Sequence, residues 1–208
     1  RTAEALNRYL AYCHQILSAD PTLSKTANFL VTQRCGRRRE LLPFGQLWGL
    51  RPLMIASASI YEGLAHELGF DFIRAADGKD PGLDLKQRIQ YALDDPDHDF
   101  FHVHTKIPDE VSHKGTPVLK KQALESLDRG LADLVKAVET HADVLVIVTG
   151  DHSTPSDSTL IHSGETVPVI MAGPRTRRDR VAAFDEVSSA EGCLGLLRGK
   201  ELMHMALN

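Results

Sequence analysis

No apolar run approaches the ~18 residues that a membrane-spanning helix needs, so no membrane partner is indicated. No basic n-region followed by an apolar stretch opens the chain, so no signal peptide is legible. Cysteine is scarce: Cys13, Cys35 and Cys193 stand far apart, with no CxxC pair and no even framework. That excludes a disulfide scaffold and fits the reduced thiols of a cytoplasmic protein. There is no basic excess either, since 24 Lys and Arg against 28 Asp and Glu give a net charge of -4, so a nucleic-acid partner is not indicated. The first residue is Arg rather than Met, and the natural chain is expected to begin upstream of it. What remains is an ordinary globular composition, 42% hydrophobic and 25% charged over 208 residues, enough for one α/β domain or a large piece of one.

Along the chain, helical spacing from Thr2 to about Ala19 is stopped by Asp20-Pro21. Asn28 to Gln33 reads as a short strand leading to Arg34-Cys35-Gly36, followed by an irregular basic segment to about Trp48. Pro52 to Ser57 reads as a buried strand, Ser59 to Leu68 as a helix capped by Gly69, and Leu83 to Leu93 as a further helix. Asp99 to Thr105 reads as a strand. Gly115 to about His141 reads as one long helix, its Leu124, Leu127, Leu131, Leu134 and Val138 keeping a helical beat. Val144 to Val148 is a continuous apolar strand of the kind buried on both faces of a parallel sheet, and Val167 to Ala172 is another. Short helices are expected after Gly192. Strands alternating with helices predict an α/β fold, a mostly parallel sheet with helices on both faces. In such sheets ligand sites collect beyond the carboxyl ends of strands. A weak boundary falls near residues 75 to 85, dividing the chain at about residue 80.

Three motifs sit in the second half: Asp109-Glu110-Val111-Ser112-His113, Thr149-Gly150-Asp151-His152-Ser153 and His162-Ser163-Gly164. Together they offer two Asp and three His, oxygen and nitrogen donors that divalent metals such as Mn²⁺, Zn²⁺ or Fe²⁺ accept. Two such metals held ~4 Å apart clamp the attacking and leaving oxygens of an in-line displacement. The four-residue spacing of Asp109 and His113 lets one helical turn, or a tight loop, aim both at one ion. Asp151 and His152, leaving a strand side by side, suit two neighbouring ions better than one. Each motif alone has a plainer role, Asp151 or Ser153 as a helix cap for instance. It is the set that favours metal. His104 shares a strand face with His102 and sits near the site if the strand ends at Thr105, while His102 reads as a hydrogen-bonded core or surface histidine. Lys106 reads equally as a phosphate contact or an exposed lysine, and Arg34 is a candidate anion contact. The clusters Arg37-Arg38-Arg39 and Arg175 with Arg177-Arg178 read as solvated faces or as an anion-binding rim.

These stretches, His104 to Gly115, Thr149 to Pro155 and His162 to Val169, resemble the archaeal-type cofactor-independent phosphoglycerate mutases of the alkaline phosphatase superfamily. The resemblance extends to Ala27–Gly36, to Arg178-Asp179 with Phe184-Asp185-Glu186, and to the tail Gly199–Met203, so it covers nearly the whole chain. It implies an alkaline-phosphatase-like core, seen here in its C-terminal part. Residues 1–80 would be the end of an inserted substrate-side segment and its connection to the core, and 81–208 the metal-binding half. It also implies interconversion of 3-phosphoglycerate and 2-phosphoglycerate through an enzyme phosphoserine, without 2,3-bisphosphoglycerate. Asp109, His113 and His162 would hold one metal, Asp151 and His152 the other, with manganese first and zinc, cobalt or iron as alternatives. The second site would be completed by an Asp and the nucleophilic Ser from an N-terminal remainder of the same protein. Neither is in this sequence, so no catalytic nucleophile is assigned here and the piece alone is expected to be inactive. The alternatives are a metal-dependent phosphomonoester or phosphonate hydrolase, and a truncated metal-binding relative without enzymatic activity.

Overall fold

A computed structural model of the chain describes all residues except 24–26, 33–35, 38, 157–159 and 208. It divides into two compact units, Arg1–Glu40 and Leu41–Asn208.

The first unit is dominated by α1 (Thr2–Ala19), which matches its sequence pattern and ends where Asp20 turns extended. The expected strand at Asn28–Gln33 is not formed at its described positions. Residues 28–32 are coil with Val31 76% exposed, because no other segment among the described residues offers them a ladder. Gln33, Arg34 and Cys35 lie outside the described residues, and with them the suggested anion contact at Arg34.

The second unit opens on a short helix, α2 (Phe44–Trp48), where irregular backbone was expected. Phe44 is the reason: its ring packs against Phe70 at 4.8 Å and Phe100 at 4.6 Å, so local burial orders the turn. The next elements are β1 (Pro52–Ala56), α3 (Ser59–Leu68), β2 (Asp71–Arg74), α4 (Pro81–Asp94) and β3 (Phe100–Val103). β1 is buried at all five residues, as its apolar run predicts. It lies between the other two strands in a parallel sheet of order β2-β1-β3. Side chains alternate across a strand, so Met54 and Ala56 pack with Ala65 of α3 on one face. On the other face Val103 packs with Leu85 and Ile89 of α4. The sheet is therefore covered by helices on both sides, and the chain reverses its winding direction at β1. Residue 80 falls in the crossover between β2 and β3, so strands from both sides of it build the sheet.

The long helix expected over 115–141 is interrupted. A separate helix, α5 (Ile107–Lys114), ends ahead of Gly115, and the expected range itself divides into α6 (Pro117–Gly130) and α7 (Ala132–Thr140). α6 closes against α4 so tightly that a Cβ on Gly130 would lie 2.4 Å from the Gly82 carbonyl oxygen. Ser126 donates from its hydroxyl to Asp80 Oδ1 at 2.7 Å and accepts from the Gly82 N–H at 3.0 Å, fastening the crossing.

β4 (Val146–Thr149) and β5 (Val169–Ala172) form a separate antiparallel pair, Val146 opposite Ala172 and Thr149 opposite Val169. The apolar run at Val144–Val148 correctly marks a strand but not its setting: the pair is half-buried, with Leu145 and Ile170 exposed, rather than enclosed on both faces of the parallel sheet. Short helices α8 (Glu186–Ser189) and α9 (Gly199–Leu207) complete the unit. No helix among the described residues is long and apolar enough to cross a membrane.

Candidate metal centre

In a parallel sheet that reverses at β1, the crevice outside the carboxyl ends of β1 and β3 is the natural place for a site. The chain leaves β3 through His104, whose N–H extends the ladder to the Ile55 carbonyl at 3.0 Å. Its carbonyl accepts from Nη1 of Arg88 at 2.5 Å, and the same guanidinium reaches the Ala76 carbonyl at 3.1 Å and Asp77 Oδ1 at 2.5 Å. Arg88 is only 2% exposed. A buried fork on α4 thus fastens the ends of β2 and β3 together.

Directly beyond, Pro108 in the first turn presets the start of α5, and Asp109 and His113 emerge on one face of it, four residues apart. His113 Nε2 stands 3.1 Å from Asp109 Oδ1. The third donor comes from the connection between β4 and β5. Its two arms are zipped by a bridge between Ser153 and Ser163, the Ser163 N–H donating to the Ser153 carbonyl at 3.1 Å. This carries His162 over α5, with Nε2 3.4 Å from the same Asp109 oxygen. One donor atom from each of Asp109, His113 and His162 lies within 4.8 Å of the others. One carboxylate and two imidazoles, all partly accessible, fit a divalent ion with positions left for a further ligand.

Asp109 is held as a carboxylate. Its partial burial opposes ionisation, but the Thr154 hydroxyl, then His113, His152 and His162, outweigh that and keep it below the ordinary carboxyl range.

Asp151 and His152 are beside this group rather than in it. The His152 ring lies 4.1 Å from that of His162, and its Nε2 is 3.4 Å from Asp151 Oδ2. Asp151 is 63% exposed in its side chain and takes the His152 N–H at 3.0 Å. Its charge is felt across the crevice at Tyr61 and His104. Burial raises the Tyr61 phenol, with Asp151 and Asp109 adding to the effect. Burial also pushes His104 down to about 4, helped by His102, Arg88 and Lys106 against the pull of Asp151. The His104 ring packs against Tyr61 with centroids 3.9 Å apart and planes tilted by 41°, so it meets α3. Lys106 caps the start of α5, its carbonyl accepting from Glu110 N–H at 3.1 Å, with the ammonium near enough to His104 to act on it.

Two residues of the site were not singled out by sequence reasoning. Thr154, 6% exposed, donates to Asp109 Oδ1 at 2.9 Å and sits 3.1 Å from His152 Nδ1, while Lys120 Nζ of α6 holds its carbonyl at 2.7 Å. Nothing in the local pattern marks it. Arg88 did leave a signal, a charged residue on the Leu85–Ile89 face of α4 where apolar residues belong.

The family model described as Metalloenzyme superfamily matches residues 24–208. The chain belongs to that superfamily. Among curated relatives, this member of the superfamily is 38% identical over 214 residues to 2,3-bisphosphoglycerate-independent phosphoglycerate mutase 2 of Methanocaldococcus jannaschii, covering all of this chain and 47% of that protein. It is 32% identical over 222 residues to the 2,3-bisphosphoglycerate-independent phosphoglycerate mutase of Methanoculleus marisnigri, covering 52% of it. The chain therefore spans about half the length of the curated relatives it matches. Of solved structures, a protein of Pyrococcus horikoshii superposes with a TM-score of 0.84 at 25% identity, over 98% of this chain and 56% of that one. The cofactor-independent phosphoglycerate mutase of Thermoplasma acidophilum superposes at 0.63 with 23% identity, over 99% of this chain and 51% of that one. The α/β, alkaline-phosphatase-like fold and the resemblance drawn from the motifs both stand.

Proposed function

We propose that this metalloenzyme serves phosphoryl transfer between the hydroxyls of a phosphoglycerate, interconverting the 3- and 2-phospho isomers. The observation that carries the reading is the convergence of Asp109, His113 and His162 from two separate parts of the fold onto one point. The names of the relatives support the substrate class. A first divalent ion belongs to Asp109, His113 and His162, and a second to Asp151 and His152, with manganese the expected metal. Such ions supply charge stabilisation to a transferring phosphoryl group and its flanking oxygens.

The protein's own groups have separate tasks. Lys106, at the mouth beyond β3, meets an anionic phosphate or carboxylate of the substrate. His104, neutral at physiological pH, and Tyr61 wall the crevice on the α3 side. Residues 81–208 then carry the metal-binding half, and 1–80 lead to it from the substrate-side segment, with β1 and β2 already in the sheet. The reading gives the nucleophilic serine, with one further aspartate, to a segment outside these 208 residues. The chain alone is accordingly expected to bind metal without turning over. The setting is cytoplasmic.

The test is ³¹P NMR of 3-phosphoglycerate incubated with the natural gene product and Mn²⁺. Appearance of 2-phosphoglycerate without added bisphosphoglycerate, lost in His162→Ala, supports the reading. Release of inorganic phosphate alone would replace it with a hydrolase.

A further inference from the structure

We propose that Thr154 is a positioning residue: its single hydroxyl ties Asp109 to His152 and holds the His152 ring as the Nδ1–H tautomer, turning Nε2 toward a metal. The inference rests on the metal reading above and adds to it a residue that touches no metal.

A threonine hydroxyl has one hydrogen to donate and lone pairs with which to accept. Thr154 Oγ1 donates to Asp109 Oδ1 at 2.9 Å. The hydroxyl hydrogen is therefore spent on Asp109. His152 Nδ1 lies 3.1 Å from the same oxygen, and the one hydrogen bond still open to that pair is Nδ1–H donating to Oγ1. A neutral ring that carries its proton on Nδ1 has its lone pair on Nε2, the form in which imidazole binds an ion through that nitrogen.

Geometry keeps this relay in place. Thr154 is 6% exposed, so water does not compete for its hydroxyl. Its carbonyl is anchored by Lys120 Nζ at 2.7 Å, and one residue before it the Ser153–Ser163 bridge fixes the backbone. The relay joins the donor from α5 to the donor from the β4–β5 connection. The two ligand groups are thereby set relative to each other before any ion arrives.

The test uses the whole chain with cobalt(II) as the probe, titrated by its visible absorption, beside ¹⁵N shifts of the His152 ring in the metal-free protein. Thr154→Val keeps the shape and removes the hydroxyl, while Thr154→Ser restores it. The expected result is cobalt affinity lower by about 10- to 100-fold in Thr154→Val, the usual cost of losing such a partner, and recovery in Thr154→Ser to within a few-fold of wild type. The His152 ring should show a protonated Nδ1 in the wild type and the Ser variant, and a shift toward the Nε2–H form in the Val variant. Ile89→Val, in the core cluster under α4, controls for lost stability and should leave affinity and tautomer unchanged. Wild-type affinity and tautomer in Thr154→Val would overturn the proposal while leaving the metal reading intact, as would equal losses in the Val and Ser variants. A wild-type chain that takes up no cobalt, indistinguishable from Asp109→Ala, would overturn the metal reading itself and the proposal with it.

Discussion

The parallel sheet and the β4–β5 pair contrast in how they hold their shape. All of β1 is buried between two helical layers, with Arg88 clamping the strand ends from beneath. Neither β4 nor β5 contains a fully buried residue, and among the described residues the connection between them is kept by polar contacts: the Ser153–Ser163 bridge, Glu165 accepting from both of those serine hydroxyls, and Thr154 held by Lys120. The candidate metal centre straddles the two. Asp109 and His113 stand on a ledge fixed by burial, whereas His152 and His162 are delivered by a polar zipper. Hydrophobic packing specifies position with little sequence expense at the site itself. The polar arm can be loosened by deleting one hydrogen bond.

The largest effect is expected from breaking the first region at Asp77. Asp77→Ala leaves the Arg88 guanidinium buried without its carboxylate, and it also removes the partner of the Ser57 hydroxyl. Urea unfolding should show a loss of about 3 kcal/mol, the lower end for a broken buried pair because water reaches Asp77. A change below about 0.5 kcal/mol, the range of ordinary surface substitutions, would mean that the clamp is not structural.

The second region breaks more locally. Lys120→Met removes the ammonium that holds the Thr154 carbonyl, and should cost about 1 kcal/mol. The loss should fall on the connection: exchange of the Ser163 amide should quicken several-fold while β1 amides hardly change. Uniform quickening of both regions would erase the contrast.

The smallest effect is expected at the far end of the sheet, where His98 joins Asp71 at 3.0 Å to Asp95 at 2.9 Å. Hydrogen bonding to Asp71, then Asp95, raises the imidazole above its ordinary range despite partial burial. A raised folded value contributes stability that is complete below the unfolded pKa of about 6.5 and fades as pH rises through the folded one. The Tm gap between wild type and His98→Gln should therefore be wider near pH 6 than near pH 9. Asp71 is open to water, so the gap stays small. An equal gap at both pH values would remove the charge from the account.

The fold was legible where its causes are local. α3 ends at Gly69 because a left-handed residue is needed there, at φ 70°, and glycine supplies it. β2 passed unread because Asp71-Phe72-Ile73-Arg74 has only two apolar residues, and its pairing with β1 makes it a strand. The break between α6 and α7 was invisible because the apolar beat runs through Leu131 while the interruption comes with the approach of α4 at Gly82. At the site, the Asp109–His113 spacing could be read along one helix. The arrival of His162 depends on the Ser153–Ser163 bridge, and the part played by Thr154 depends on three elements meeting, neither of which a linear pattern records.

The measurement that most directly tests the account is anomalous diffraction from crystals of the chain grown with Mn²⁺. The account predicts a peak bonded to Asp109, His113 and His162, absent in His162→Ala crystals grown the same way. Ordered protein with no peak at that triad, or a peak bound elsewhere and untouched by His162→Ala, would contradict it.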